Sequence, residues 1–185
     1  TAQIAMEHGA KVLYQPKKGY GNACLKGLEY LETKTDVSIV VFLDGDYSDY
    51  PSQMVELVRP IQENRADLVI GSRTRGRRTK GSMTIPQVFG NWLATLLIRW
   101  LYGVRFTDLG PFRAIRYESL RLLNMQDKNY GWTVEMQLKA ARHGLRCWEV
   151  PVDYRKRIGT SKVSGTLKGV LMAGYKILYT IFKYY

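Results

Sequence analysis

Asp44 and Asp46, on either side of Gly45, are the side chains of this 185-residue chain best suited to chemistry. They follow residues 37–43, a β-branched and apolar run that reads as a buried strand. A strand ending in such a pair sets hard oxygen ligands at a sheet edge, where α/β proteins bind their ligands. Hard oxygens suit Mg2+ or Mn2+, ions that bind through one or two carboxylates together with substrate phosphates. A solvated Asp-Gly turn is the plain alternative, and the pair alone does not separate the two.

Other residues could handle phosphate. Arg73 closes a second apolar run, 66–73, and opens a basic loop with Arg75, Arg77, Arg78 and Lys80. Arg155, Arg157 and Lys162 flank Gly159-Thr160-Ser161. Arginine forks match phosphate oxygens and lysine adds a point charge, although both segments also read as solvated basic loops. In Lys17-Lys18-Gly19-Tyr20-Gly21, Gly19 and Gly21 permit close backbone approach and offer N–H groups at a helix start; a plain turn is the alternative. Asp108 and Glu135 are the remaining carboxylates of interest. Either could be a general base if the acceptor is a hydroxyl, or a buried structural carboxylate. Trp92 and Trp100 read as core or interface, and Trp132 is the best placed to stack on a sugar.

Positioning these groups requires strands separated by helices. We expect strands at 10–15, 37–43, 66–73 and 147–154, with a short one entered at Arg113. Helices are expected from Asn22 as cap to Glu32, over 52–64 behind Pro51, over 86–102, and over 132–143 with Gly144 as the stop. This alternation predicts right-handed βαβ units and a mainly parallel sheet. Residues 1–6 read as a helix leading to the strand at 10–15, so a further strand-and-loop unit is expected upstream.

Residues 166–185 form a separate basic helix after a domain of residues 1–165. On a helical wheel Leu167, Val170, Leu171, Ile177, Leu178, Ile181 and Phe182 share one face, flanked by Tyr175 and Tyr179, with Lys168, Lys176 and Lys183 opposite. Such a helix is expected to lie on a membrane, or else to pack on its own domain or a second copy. It is too charged to span a bilayer.

The net charge of +12 calls for an anionic partner: nucleic acid, an acidic membrane or a phosphorylated substrate. No helix-turn-helix, zinc-finger or stacked-aromatic pattern supports nucleic acid, and without a metal the two carboxylates would repel its phosphates. Cys24 and Cys147 fit no metal or redox spacing.

Several pieces occur in a set order: Lys18-Gly19-Tyr20-Gly21-Asn22-Ala23, Phe42-Leu43-Asp44-Gly45-Asp46, Leu68-Val69-Ile70-Gly71-Ser72-Arg73, Thr107-Asp108-Leu109-Gly110-Pro111-Phe112-Arg113, and Gly159-Thr160-Ser161-Lys162. In this order the chain resembles family 2 glycosyltransferases of the GT-A (nucleotide-diphospho-sugar transferase) fold. More narrowly, it resembles the dolichyl- and polyprenyl-phosphate sugar transferases. The family's usual opening strand with an Asn-Glu loop, and its base-binding Asp loop, have no counterpart in these residues, in keeping with the expected upstream unit.

The resemblance implies a nucleotide-diphosphate sugar donor and Mg2+ or Mn2+ on Asp46, with Asp44 supporting the ion or holding the ribose. Lys18, Gly19, Gly21, Arg73, Arg113, Arg155, Arg157, Ser161 and Lys162 would bind donor and acceptor phosphates. Asp108 would lie near the sugar and acceptor, and Glu135 would face the same cleft. The implied reaction is an inverting transfer to a polyprenyl or dolichyl phosphate by a protein peripheral on the cytoplasmic face of the membrane. Open alternatives are a hydroxyl acceptor on a glycan or lipid, and a degenerate non-catalytic domain. A homo-oligomer is compatible with either.

Overall fold

The computed structural model describes residues 1–159 and 166–185, with Leu167 by its backbone alone. Its four-stranded sheet has the order β1-β3-β2-β4, comprising β1 (Ile39–Phe42), β2 (Leu68–Ser72), β3 (Arg113–Arg116) and β4 (Cys147–Pro151). Strands β2 and β4 are parallel, whereas β3 runs antiparallel to both β1 and β2. Three strands thus point one way, and the reversed β3 is wedged between two of them. Phe42 and Ile70 both pair with Arg113, so the last residue of β1 and the middle of β2 lie level with the start of β3.

Side chains alternate across the sheet. Val69 and Ala114 join Leu57 and Ile61 of α3 (Met54–Gln62), which follows a short 3-10 turn at Pro51–Gln53. On the other face, Leu68, Ile70 and Ile115 pack with α4 (Ile85–Tyr102), α5 (Tyr117–Leu123), α6 (Trp132–Arg142) and α7 (Leu167–Lys183). Helix α2 (Tyr20–Leu31) adds Tyr20, Cys24, Leu25 and Leu28 to that core, and α1 (Ala2–Glu7) stands before it.

Three expectations are corrected. Residues 10–15 form no strand, because no neighbouring backbone completes a ladder with them among the described residues. Helix α2 begins at Tyr20 with Gly19 as N-cap; Asn22 lies inside it and donates to the Lys18 carbonyl at 2.9 Å. Trp132 is buried and meets Phe42 edge-on with ring centroids 6.1 Å apart, so it is a core residue rather than a sugar platform.

Helix α4 carries a capping box between Thr84 and Gln87 and ends at Gly103, whose φ of 69° is the left-handed conformation that glycine adopts freely. It packs with α7, and the Tyr102 hydroxyl donates to the Ile181 carbonyl at 2.6 Å. Helix α7 uses its expected apolar face differently from the wheel reading. Ile177 and Ile181 turn into the core and Val170 and Leu178 line the cavity described below, while Leu171 and Phe182 point out. Lys176 is tied to Asp127 at 2.9 Å. Among the described residues no helix is long and apolar enough to cross a membrane.

Candidate active site

A cavity of about 1270 Å3 opens at the edge where β1 and β2 end. Along the sheet its wall is charged, with Lys18, Asp44, Asp46, Arg73 and Arg157; along α4 and α7 it is apolar, with Phe89, Leu93, Leu171, Ile177 and Leu178.

The turn after β1 is tightly held. Asp46 accepts from the Ser48 N–H at 2.9 Å and from its hydroxyl, and it pairs with Arg157. Tyr47 takes a φ of 74°, a left-handed conformation that costs a non-glycine residue energy. The strand-like segment 154–158 braces this turn: Arg155 N–H donates to the Ser48 carbonyl at 3.0 Å and Ile158 N–H to the Asp46 carbonyl at 3.1 Å. The Arg155 guanidinium lies 3.2 Å from the Tyr47 ring centroid and 4.3 Å from that of Tyr50. Arg155 therefore buttresses the loop and does not line the cavity, contrary to its expected binding role, whereas Arg157 faces the acids.

Negative charge is crowded here. Burial first, and then the charge of Asp46, raises the Asp44 carboxyl above its ordinary range, while Arg157 and Arg73 pull it back. Burial first, and then the neighbouring Asp44 carboxylate, keeps the Tyr20 hydroxyl protonated well beyond the usual tyrosine range. Asp49 is almost wholly buried, and neither of its carboxylate oxygens has a hydrogen-bond partner of regular geometry. Burial, followed by the charge of Asp44, pushes Asp49 up to about 7. Cys24 also lines the cavity, with its thiol raised to about 12 by burial first.

Asp44 and Asp46 offer hard carboxylate oxygens at the charged wall of the cavity, donors that fit a divalent cation. Asp44 and Asp46 face the cavity and would hold it. Among the described residues no three or more His, Cys, Asp or Glu side chains could hold an ion together.

Arg73 enters the same edge from the end of β2, and Asp108 stands behind it, fully buried and outside the cavity lining. Arg73 donates to Asp108 from its backbone N–H at 2.7 Å, from Nε at 2.9 Å and from Nη2 at 2.7 Å. Burial opposes the Arg73 charge, but Asp108 outweighs it and holds the arginine above its ordinary pKa. The expectation that Asp108 approaches the sugar is thus corrected: its oxygens are saturated by an arginine.

Two further expected positions move out of the cleft. The Arg113 guanidinium is completely buried and donates to the carbonyls of Leu109, Gly110 and Thr133, which fixes the 108–111 turn to α6. Its pKa is lowered to about 10 by burial. Glu135 accepts from the N–H groups of Gln126 at 3.0 Å and Asp127 at 2.6 Å, from the Tyr184 hydroxyl at 2.8 Å, and pairs with Lys139 at 2.7 Å. It ties α6 to α7 and to the 124–131 loop.

That loop also explains Gly19 and Gly21. A Cβ on Gly21 would fall 1.9 Å from the Asp127 carbonyl oxygen, and one on Gly19 2.2 Å from that of Lys128, with Gly19 at φ 139°. The glycines let α2 dock on residues 127–128, while Lys18 and Gly19 still line the cavity. Ser161 and Lys162 lie outside the described residues. Sequence reasoning passed over Tyr20 and Asp49. Tyr20 lies inside the 18–23 piece and Asp49 three residues beyond the 42–46 piece, and the acids at positions 44, 46 and 49 are the signal for the latter.

Comparison with known proteins agrees with this geometry. The family described as Glycosyl transferase family 2 matches residues 1–123. The chain belongs to glycosyl transferase family 2. Within the family it is 34% identical over 174 residues to the undecaprenyl-phosphate mannosyltransferase of Micrococcus luteus, covering 90% of this chain and 70% of that protein. It is 31% identical over 166 residues to the dolichyl-phosphate hexose transferase of Haloferax volcanii, covering 88% and 68%. This family 2 chain thus resembles the polyprenyl-phosphate sugar transferase branch. Its fold matches the glucosyl-3-phosphoglycerate synthase of Mycobacterium tuberculosis, crystallised with Mn2+, UDP-glucose and phosphoglyceric acid, with a TM-score of 0.69 at 20% identity. That match covers 97% of this chain and 62% of the solved one, so the chain spans about three fifths of its length. The likeness establishes the GT-A architecture.

Proposed function

We propose that this chain carries the catalytic site of an inverting, metal-dependent transferase that moves a hexose from a nucleotide-diphosphate sugar to a polyprenyl or dolichyl phosphate. The observation that carries the reading is the two-sided cavity: carboxylates and arginines on the sheet edge, apolar side chains on α4 and α7. A sugar nucleotide and a lipid phosphate need those two surfaces in one space.

Asp44 and Asp46 would hold Mg2+ or Mn2+, which when bound supplies Lewis-acid neutralisation of the departing diphosphate. Arg73, held by Asp108, and Arg157 present guanidinium groups to phosphate oxygens. Lys18 adds a point charge at the start of α2, and Tyr20 steadies Asp44. An acceptor phosphate oxygen attacks the anomeric carbon opposite the leaving group, and the configuration inverts. The phosphate is already ionised near neutral pH, so no general base is needed. That suits a site whose two candidate bases, Asp108 and Glu135, are engaged in structural networks. A hydroxyl acceptor would require such a base. The acceptor's lipid places the protein at a membrane face.

Binding of nucleotide sugars with and without Mn2+, followed by thermal shift, tests the donor half of the reading. Transfer of labelled sugar to polyprenyl phosphate, compared with a panel of glycans, tests the acceptor half. Transfer to glycans alone would overturn the lipid-phosphate assignment.

A further inference from the structure

Among the described residues no backbone N–H group of the 107–109 turn finds a backbone partner; side chains from three elements hold it. Glu149 of β4 accepts from the Thr107 N–H at 2.8 Å, from the Asp108 N–H at 3.3 Å and from the Thr107 hydroxyl at 2.8 Å. Asn91 of α4 accepts from the Leu109 N–H at 2.9 Å and donates to the Thr107 carbonyl at 3.0 Å. Gln137 of α6 donates to the Asp108 carbonyl at 3.1 Å. The turn also reaches the end of β2. The Ser72 and Thr107 hydroxyls lie 2.7 Å apart, and the Thr74 hydroxyl donates to the Thr107 carbonyl at 3.2 Å. Arg75 in turn donates to the Glu149 carbonyl at 2.9 Å. Arg73, on the Asp108 carboxylate, stands in the middle of these contacts.

We propose that Glu149 is a positioning residue for donor binding: by fixing Thr107 and Asp108 it sets where the Arg73 guanidinium meets the donor's diphosphate. This rests on the transferase reading above, which puts a diphosphate in the cavity. Glu149 does not line the cavity, so it acts through other residues. Asn91 and Gln137 hold the far side of the turn, whereas the Asp108 N–H goes to Glu149. A carboxylate offers only acceptors. Thr107 therefore gives its hydroxyl proton to Glu149 and accepts from Ser72, so the hydroxyl chain has one direction and starts beside Arg73. Glutamate is also disfavoured in strands, yet Glu149 pairs in register with Ile70 of β2, three residues before Arg73. A residue that only completed the sheet would be better β-branched. Outer contacts of this kind orient the group that touches the ligand.

The test uses the intact chain, with Mn2+ and inorganic pyrophosphate standing in for the donor's diphosphate. Calorimetry reads their binding. Nuclear magnetic resonance follows the Arg73 Nε–H of the ligand-free chain, assigned by its loss in Arg73→Lys. Glu149→Ala should weaken pyrophosphate binding about tenfold, shift the Arg73 resonance and speed its exchange with water. Glu149→Gln should recover most of both effects, because its amide oxygen still accepts from the Thr107 N–H. Thr107→Val keeps the shape and removes the hydroxyl link. It should move both readouts in the same sense, with binding weakened about threefold, and it carries the test should Glu149→Ala fail to fold. A purely structural glutamate would lower Tm and leave both readouts of the folded protein unchanged. Either an unmoved resonance or an undiminished pyrophosphate affinity in the folded variants would overturn the proposal. Neither readout involves sugar or lipid. Failure of the transferase reading, seen as no transfer of hexose to polyprenyl phosphate, is therefore distinct from failure here.

Discussion

Asp108 grips Arg73 through three hydrogen bonds, two of them from the guanidinium and one from the backbone at the end of β2. The carboxylate thereby fixes where a cation enters the cavity while staying out of the cavity itself.

Asp108→Asn should therefore act through Arg73. Removing one partner of a buried pair strands the other charge and costs about 3–5 kcal/mol. Urea unfolding should show that loss together with weaker nucleotide-sugar binding. A variant with wild-type stability and normal donor binding but no turnover would instead make Asp108 a base.

Asp46→Asn should remove the Mn2+-dependent part of nucleotide-sugar binding and lower transfer by about a hundredfold or more. Asp46 is partly exposed and its pairing with Arg157 is solvent-screened, so the ligand-free Tm should fall only slightly. Calorimetric titration of Mn2+ with the donor reads the first effect and thermal melting the second.

Glu135→Gln should behave as a structural lesion. It breaks a buried network joining Lys139, Tyr184 and the Gln126 and Asp127 amides. A loss of about 3 kcal/mol in urea unfolding is expected, with donor affinity retained in the folded fraction.

Gly21→Ala tests the docking of α2. Its new methyl group would overlap a backbone carbonyl that belongs to no flexible side chain. Overpacking of this kind costs about 2 kcal/mol or more. Denaturant unfolding should show it, and Gly27→Ala, at a position with open space, should not.

Asp67 supplies a pH signature away from the cavity. Hydrogen bonds from Arg146 hold its carboxyl below the ordinary value of 3.8. A depressed acid stabilises the fold above its unfolded pKa, and that contribution is lost as pH falls through the folded value. Asp67→Asn should therefore lower Tm at neutral pH, and the gap to wild type should narrow as pH drops below about 4. A gap independent of pH would show that the ion pair contributes nothing.

Much of this was legible in the sequence because local patterns settle it. β-branched runs marked β1 and β2, Pro86 and Gly103 bracket α4, and Gly144 ends α6. The Asp-Gly-Asp turn is marked by its place among the ordered motifs, since the pair alone fits a solvated turn as well. The reversed β3 was not legible, since four residues carry no direction. Nor was the fate of Asp108, Arg113 and Glu135: a carboxylate's partners come from distant segments, and only the fold shows whether its oxygens are free. The helical wheel groups Ile177 and Ile181 with Leu171 and Phe182 on one apolar face of α7, and only the fold shows that the domain covers the first two and leaves the others exposed.

The wedged β3 has a last consequence. Its amides lie between two neighbours, and its first residue sits level with the last residue of β1 and the middle of β2. Sliding it by one pleat would carry the 108–111 turn, and Arg73 with it, away from Asp44. Nothing milder than the loss of the central sheet should therefore misplace the cations. Amide hydrogen exchange in β3 and β2, the two inner strands, should accordingly be among the slowest in the molecule, and the rate in β3 should report how often the cation and carboxylate walls part company.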